Sequence, residues 1–460
     1  MKLEQKHIIY FIGIGGIGMS ALAHYFIKCG KKIAGYDRNA SDITQQLSQW
    51  GAVIHFDENV HHIPEVVTNA PRNEVLIIYT PAISPQNKLW LFFNEKKYDV
   101  VKRAEILGNI CRSFPTIAIA GTHGKTTVTS LVSHILNLSD KKSLAFLGGI
   151  AKNYQSNHIY VDKPAYAVVE ADEYDRSFLQ LQPEAAIITS IDPDHLDIYK
   201  NYDSLKTAFN DFSNNITSFN GKLLLKKETT FVPNNPHIEK AFYSTRTHAD
   251  CNIANISLSN GYFTFDIHTP WGNIEKVTPG ITGNYNVENV LAASSLCLWL
   301  GIPPTIVKKG IETFSGVRRR FDVQFQNARY IYIDDYAHHP EEIKAFITSV
   351  KTVFPHQYIT GIFQPHLYSR TRDLAAEFGQ ALSLLDELWL MDIYPARELP
   401  IEGVTSQIIF DHVTCKQKRI IETQEIPKLV KSATPGLLLT MGAGNIDEWI
   451  NPIKQSLYEA

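Results

Sequence analysis

The chain has 460 residues, too many for one ordinary domain, and its 44% hydrophobic and 20% charged residues are ordinary for a soluble globular protein. A net charge of −3 gives no global attraction to nucleic acid or an anionic membrane, and no stretch is long and apolar enough to cross one. The cysteines at 29, 111, 251, 297 and 415 are scattered without CxxC spacing, which argues for a reducing compartment and against a Cys-based metal site.

Residues 1–112 read as a Rossmann-type unit. Lys2 and Lys6 before an apolar run mimic a signal peptide, but that run holds Gly13, Gly15, Gly16 and Gly18 at nucleotide-loop spacing. We read a strand at His7–Ile12, a Gly turn, a helix at Met19–Cys29 and a second strand at Lys32–Tyr36 ending at Asp37. A later strand, Val75–Tyr79, closes on Thr80-Pro81-Ala82. A diphosphate can sit at such a helix N-terminus; UDP, NAD and FAD all satisfy it, and a Gly-rich packing turn is the bland alternative.

Pro115 marks a boundary, and residues 113–314 form the second unit. The apolar strand Thr116–Ala120 runs into Gly121-Thr122-His123-Gly124-Lys125-Thr126-Thr127, and Val128, Leu131, Val132, Ile135 and Leu136 mark a helix face after it. The glycines let backbone N–H groups turn inward, Lys125 reaches outer phosphates and the Thr126 hydroxyl is placed to ligate Mg2+. The usual phosphate loop needs Gly at 119, where this chain has Ile119, so this is the shorter Gly-x-x-Gly-Lys-Thr form. A plain strand-to-helix turn with a solvated Lys is the competing reading. Further on, strands at Ala165–Val169 and Ala185–Thr189 deliver two acidic segments at their C-terminal ends. In the first, Glu170 is a Mg2+ candidate, while Asp172, Glu173 and Asp175 stay open between metal and surface loop. In the second, His195 lies among Asp192, Asp194 and Asp197 and reads as a metal ligand. Residues 219–275, with Asn-Gly at 220–221 and 260–261, suggest β-hairpins. Asn286 and Asn289 share a face at the start of a helix running to about Leu300, and either hydrogen-bond a nucleotide or cap the helix.

Residues 315–460 alternate strands and helices again, with buried strands at Tyr330–Ile333, Tyr358–Phe363, Glu387–Met391 and Leu437–Met441. Arg318, Arg319 and Arg320 suit phosphate or carboxylate recognition; RNA is the rival, and the chain is not basic. Asp335, Tyr336 and the pair His338-His339 follow one strand, and His366, Tyr368 and Arg370 follow another. The fold class is therefore α/β in three domains: an N-terminal Rossmann-like unit, a central phosphate-loop sheet with added hairpins, and a C-terminal Rossmann-like unit.

The strings GIGGIGMSALA (13–23), AGTHGKTT (120–127), EADEYDRSF (170–178), DPDHLD (192–197), NYNVEN (284–289), RRRFDV (318–323), DDYAHHP (334–340), FQPHLYSRTRD (363–373) and GAGN (442–445) together resemble the Mur ligase family, in family order along nearly the whole chain. The resemblance implies an ATP-dependent, cytoplasmic ligase joining L-alanine to the lactyl carboxylate of UDP-N-acetylmuramate through an acyl phosphate, with ATP and Mg2+ as cofactors and neither nucleic acid nor membrane as partner. It assigns Gly13, Gly15, Gly16, Gly18, Asp37, Thr80 and Ala82 to the UDP-sugar. ATP falls to Gly121, Thr122, His123, Gly124, Lys125, Thr126, Thr127, Asn286 and Asn289. Lys125, Glu170, His195, Arg320 and Asp335 carry over as catalytic, Thr126, Glu170 and His195 as metal ligands, and Tyr336, His366 and Arg370 as neighbours of the amino acid. Leu367 stands where many relatives have Arg, Tyr285 where many have His, and Lys206 lacks the neighbours of the carbamoylated lysine that several relatives carry. A ligase adding a tripeptide to the same sugar nucleotide, a nicotinamide oxidoreductase resting on residues 13–18 and Asp37, and a non-catalytic nucleotide-binding regulator are the alternatives.

Overall fold

A computed structural model describes residues 3–192, 199, 201–216, 221–229, 231–396 and 398–459. The N-terminal sheet has strands β1 (Ile8–Ile12), β2 (Lys32–Tyr36), β3 (Val53–His55), β4 (Val75–Tyr79) and β5 (Asp99–Lys102) in the order β3-β2-β1-β4-β5, all parallel. Its central strand is an unbroken apolar run because helices cover both faces of a parallel sheet. The order reverses at β1, so the Gly loop that follows β1 opens at the switch point where ligands of such sheets bind.

The central sheet has β6 (Thr116–Ala120), β7 (Ser143–Ala151), β8 (Ser156–Ile159), β9 (Tyr166–Ala171), β10 (Ala185–Ile188), β11 (Lys222–Lys226) and β12 (Glu239–Tyr243), in the order β12-β11-β10-β6-β9-β7-β8. Only the β7–β8 pair is antiparallel. Strands β9 and β10 flank β6, with Ile119 opposite Glu170 on one side and Ile187 on the other. The ends of three neighbouring strands thus deliver Glu170, Gly121 and Thr189 to one edge of the sheet.

The hairpin expectation for 219–275 is corrected in its first half. Strands β11 and β12 pair in parallel, Lys222 with Glu239 through Lys226 with Tyr243. The reason lies in Leu223, Leu224 and Leu225, all buried: a continuous apolar run fits a sheet covered on both faces, not an alternating hairpin. The second half is a three-stranded sheet, β13 (Asn252–Ser259), β14 (Tyr262–Thr269) and β15 (Gly272–Val277). Its Asn260-Gly261 turn has φ +52° and +81°, the paired positive values of a two-residue hairpin.

The C-terminal sheet has β16 (Asp322–Gln326), β17 (Tyr330–Asp335), β18 (Ile359–Phe363), β19 (Glu387–Leu390), β20 (Gln417–Ile420) and β21 (Gly436–Met441), in the order β16-β17-β21-β18-β19-β20 with an antiparallel β16 edge. Strands β17, β21 and β18 are neighbours and parallel, so the segments after Asp335, Met441 and Phe363 emerge side by side.

The chain divides into two compact units: Met1–Asn255 with Phe265–Val277 and Glu288–Ser315, and Ile256–Thr264 with Thr278–Val287 and Gly316–Ala460. Within the first, one apolar core runs from Ile9, Phe11 and Leu22 of the N-terminal sheet layer to Ala118, Val169 and Phe209 of the central one. The helix Ile17–Lys28, which carries the Gly loop, is held to β8: Asn157 Nδ2 donates to Ser20 Oγ at 2.8 Å, and His158 Nδ1 meets His24 Nδ1 at 3.3 Å. His24 stacks on Trp50 with ring centroids 4.0 Å apart. The helix Arg103–Cys111 meets the Tyr174–Gln180 turn at Gly108, where an added Cβ would lie 2.6 Å from the Gln180 carbonyl oxygen.

Gly108→Ala is expected to lower stability by about 1–2 kcal/mol, because overpacking against rigid backbone costs about 1–3 kcal/mol and removing a helix glycine returns up to about 1; urea unfolding measures it. Burial, helped by Lys28, lowers the His24 imidazole from 6.5 to about 4. The unfolded chain then binds more protons between those values, so this contribution is complete above 6.5 and is lost as pH falls toward 4. In His24→Gln, which keeps an acceptor for His158, the urea midpoint should fall less between pH 7.5 and 5 than in the parent.

Candidate functional site

The phosphate loop is set by two backbone positions. Gly121 has φ +127° and Gly124 φ +81°. A Cβ on Gly121 would strike Thr189 Oγ1 and come within 2.8 Å of the Ser190 amide; one on Gly124 would lie 2.5 Å from Asn289 Oδ1. The turn is fastened from the β10 side: Thr122 N donates to Ser190 O at 3.1 Å, Thr122 Oγ1 pairs with Ser190 Oγ at 2.8 Å, and His123 N donates to Ser190 Oγ at 2.9 Å. Gly124 then caps the helix Lys125–Asn137, which has no acid in its first turn. A helix N-terminus without a side-chain cap is an anion cradle.

Lys125 and Thr126 each reach a carboxylate. Thr126 Oγ1 lies 3.1 and 3.0 Å from the Glu170 oxygens, and Glu170 Oε2 also accepts from Gly148 N at 2.9 Å. Lys125 Nζ lies 2.9 and 2.8 Å from the two Glu173 oxygens. Burial pulls the Lys125 ammonium toward neutrality, but the charges of Glu173, Asp172 and Glu170 outweigh it and hold the pKa above the ordinary lysine value. The hydroxyl of Thr126 and the carboxylate of Glu170 are hard oxygen donors beside the cradle, a set that fits Mg2+. His195 lies outside the described residues, as do Asp194 and Asp197. Thr127 is buried on the same first helical turn. Asn289 closes on Gly124, whereas the Asn286 side-chain amide donates to Thr282 O at 2.7 Å, just before the helix.

At the first Gly loop, Gly13 has φ +89°, and a Cβ there would lie 3.1 Å from Thr80 Cγ2. Thr80 therefore packs directly on the turn, while Ala82 is exposed beyond it. Gly16 is the N-cap of the helix, which starts at Ile17, two residues before the expected Met19. Gly15 N donates to Asp37 Oδ2 at 2.7 Å, so this carboxylate braces the loop from the end of β2. Gly18 gives the Arg103 guanidinium room, with Nη1 2.8 Å from the place of an added Cβ. Arg103 has no signature in the sequence, because only the fold brings the start of its helix to this loop.

In the C-terminal unit, Asp335 is a bracket. Its Oδ2 accepts from Phe321 N at 2.7 Å and from the Tyr285 hydroxyl at 3.2 Å, and its Oδ1 accepts from Ala337 N at 2.9 Å. Burial pushes its carboxyl up, and the Arg320 charge pulls it back. The bracket fixes a turn in which Arg319 and Phe321 carry φ +62° and +44°. The Arg319 and Arg320 guanidiniums lie 5.0 and 5.2 Å from the centre of the Tyr336 ring. Across the sheet ends, the His366 ring stacks on Tyr394 at 5.8 Å and meets His338 edge-on at 6.2 Å. Among the described residues, Arg370 Nη1 is buried without a hydrogen-bond partner. Buried guanidinium donors are normally satisfied, so this one suits an incoming carboxylate. Tyr394 escaped the sequence reading: nothing in its neighbours marks it, and an isolated β-bridge outside the named strands brings it to His366.

Three family models match in succession: Mur ligase family, catalytic domain, at residues 8–115; Mur ligase middle domain at 119–297; and Mur ligase, glutamate ligase domain, at 319–444. The chain is 44% identical to a UDP-N-acetylmuramate–L-alanine ligase of Parabacteroides distasonis, covering 99% of this chain and 98% of the relative. It is 42% identical to one of Flavobacterium psychrophilum over 100% of both. Among solved structures, the UDP-N-acetylmuramate-alanine ligase of Thermotoga maritima superposes with TM-score 0.82 at 26% identity, covering 98% of this chain and 99% of that one. A murein peptide ligase from Psychrobacter arcticus shares the fold, with TM-score 0.71 at 19% identity over 97% of this chain and 99% of that one. Likeness of this extent, carried from the first sheet to the last, makes the chain a member of the Mur ligase family.

Proposed function

We propose that the chain is an ATP-dependent ligase that joins L-alanine to the lactyl carboxylate of UDP-N-acetylmuramate, a step in peptidoglycan precursor synthesis in the cytoplasm. The relatives named for this reaction match from end to end, which supports the substrates. The chemistry rests on one observation: a phosphate loop whose Lys125 and Thr126 meet two carboxylates, Glu173 and Glu170, at the end of the neighbouring strand β9. Among the described residues no helix is long and apolar enough to span a membrane.

Residues 1–112 would hold the UDP-sugar through Gly13, Gly15, Gly16 and Gly18, with Asp37, Thr80 and Ala82 shaping the loop. Residues 113–314 would hold ATP on Gly121 to Thr127 with Asn289 behind Gly124, and Asn286 further along the chain. Residues 315–460 would receive alanine, Arg370 taking its carboxylate beside His366 and Tyr336. A lactyl carboxylate oxygen attacks the γ-phosphorus and the bond to ADP breaks. The alanine nitrogen then attacks the acyl carbon, loses a proton and expels phosphate. Thr126 and Glu170, with His195, would hold Mg2+, which supplies positive charge against the phosphate oxygens. Lys125 neutralises charge at the same phosphates, and Arg320 is the cation that Asp335 keeps on its turn. Catalysis of this type is positioning and electrostatics, since phosphoryl transfer asks for little covalent help.

ADP release measured with a panel of amino acids and with L-Ala-γ-D-Glu-diaminopimelate tests the reading; strict dependence on UDP-N-acetylmuramate plus L-alanine is the expected result. A chain preferring the tripeptide would be a recycling ligase, and one binding NADH without forming ADP would be an oxidoreductase. Lys125→Ala is expected to lose at least ~3 kcal/mol of transition-state stabilisation, roughly a hundredfold in rate of ADP formation. Arg370→Lys should raise KM for L-alanine about tenfold, about 1.4 kcal/mol, because a point charge does not replace a fork. KM for ATP should stay within about twofold in the same assay.

A further inference from the structure

The acidic segment after β9 contains a carboxylate to which the reading above gives no task of its own. Glu173 meets the Lys125 ammonium with both oxygens, at 2.9 and 2.8 Å. Its side chain is 0% exposed and that of Lys125 11%. The ammonium also donates to Gly121 O at 2.6 Å and lies 3.5 Å from Thr122 O. A lysine has three N–H donors, and these contacts commit all of them.

Glu173 is not free to swing away. The hydroxyl of the buried Tyr199 donates to its carbonyl oxygen. Arg176 N closes a turn on the same carbonyl at 3.0 Å, and Phe178 N closes another on Asp172 O at 3.0 Å. Asp175 and Arg176 inside this turn hold left-handed backbone, φ +52° and +53°, which non-glycine residues adopt only when their surroundings enforce it. The Arg176 guanidinium lies 5.6 Å from the centre of the Tyr199 ring and packs the turn from outside.

We propose that Glu173 is a positioning residue that holds the Lys125 ammonium in reserve, so that a triphosphate engages Lys125 in competition with this carboxylate. The inference rests on the loop being the ATP site. Weakening the ion pair of a buried carboxylate is costly, and a fixed negative charge beside the cradle repels phosphate. Part of the binding energy of ATP is therefore spent on opening the pair. In return the ammonium stays at the loop when no nucleotide is present. Removing the charge should tighten ATP binding without speeding the reaction, the kinetic pattern of relieved ground-state strain. A purely structural glutamate gives the opposite pattern, weaker ATP binding in a loosened loop.

The test compares the full chain with Glu173→Gln and Glu173→Asp. Rates of ADP formation are measured over a range of MgATP at saturating UDP-N-acetylmuramate and L-alanine, together with equilibrium binding of MgATP alone. Glu173→Gln should lower both KM and Kd for ATP by about threefold or more, with kcat equal or lower. Glu173→Asp, which shortens the reach to Nζ, should shift both in the same direction by less. A folded Glu173→Gln protein with KM and Kd for ATP unchanged or raised overturns the proposal. If melting shows that Glu173→Gln does not fold, the same criterion applied to Glu173→Asp decides. A parent chain that makes no ADP would sink the ligase reading itself, whereas an active parent with unshifted variants sinks only the role of Glu173.

Discussion

The phosphate loop depends on the backbone of Gly121 and Gly124 more than on any side chain. Both residues sit at positive φ, and at both the space of a Cβ is already filled, by Thr189 and Ser190 at the first and by Asn289 at the second. A substitution at either would meet strain and collision together. The same crowding explains why the loop is short. Ile119, where a longer loop would need glycine, is a fully buried residue of β6 paired on both sides. The strand therefore runs almost to the turn, and its neighbours β9 and β10 bring Glu170 and Ser190 level with it. Strand order does here what extra loop residues do elsewhere.

Two buried ion pairs show how differently the chain uses the same device. Lys125 and Glu173 lie at the phosphate cradle, where a charged ligand has reason to compete for one of them. Arg319 and Asp334 lie at the end of the C-terminal sheet, with Arg319 Nε 3.4 Å from Asp334 Oδ2. Burial pushes Asp334 up to about 7 despite Arg319 and the Thr440 hydroxyl. Neither pair is a reason for stability by itself, since desolvation offsets most of the attraction. The second pair holds a turn in place; Arg319 also donates to the Gly442 carbonyl, tying the arginine run to the segment after β21. Its neighbour Arg320 lies on the same turn, with its charge on Asp335 and its guanidinium over the Tyr336 ring.

What was legible in the sequence was local. Each Gly loop, and each acidic or basic string after an apolar run, could be placed at the C-terminal end of a strand because period and punctuation are short-range signals. The pairing of β11 with β12 was not legible, since Asn-Gly spacing looks alike beside a hairpin and beside a parallel crossover. Partners were not legible either. Glu173 reaches Lys125 across 48 positions and Tyr285 reaches Asp335 across 50. Neither spacing has a period, and both exist only once strands have been ordered. Asn286 carries both readings at once: the family motif gives it to the nucleotide, while its amide also makes a local bond to the Thr282 carbonyl just before the helix.

Leu367 ties these threads together. Its side chain departs from the arginine that the family resemblance led us to expect, yet its backbone is the least relaxed near the candidate alanine pocket, with φ +72° and ψ +133° at the N-cap of the helix Tyr368–Asp373. Strain of this kind costs on the order of 1–3 kcal/mol and persists only where surroundings over-determine it. Here they do: Leu367 N donates to Tyr394 O at 3.0 Å, and Leu367 O accepts from Thr371 N at 3.1 Å and Thr371 Oγ1 at 2.8 Å. Those bonds use no side-chain atom of Leu367. The turn they enforce sets His366 against Tyr394 on one side and starts the helical turn bearing Arg370 on the other. The position therefore has a geometric task that needs no charge of its own, and on the proposed reading carboxylate recognition in this segment would fall to Arg370.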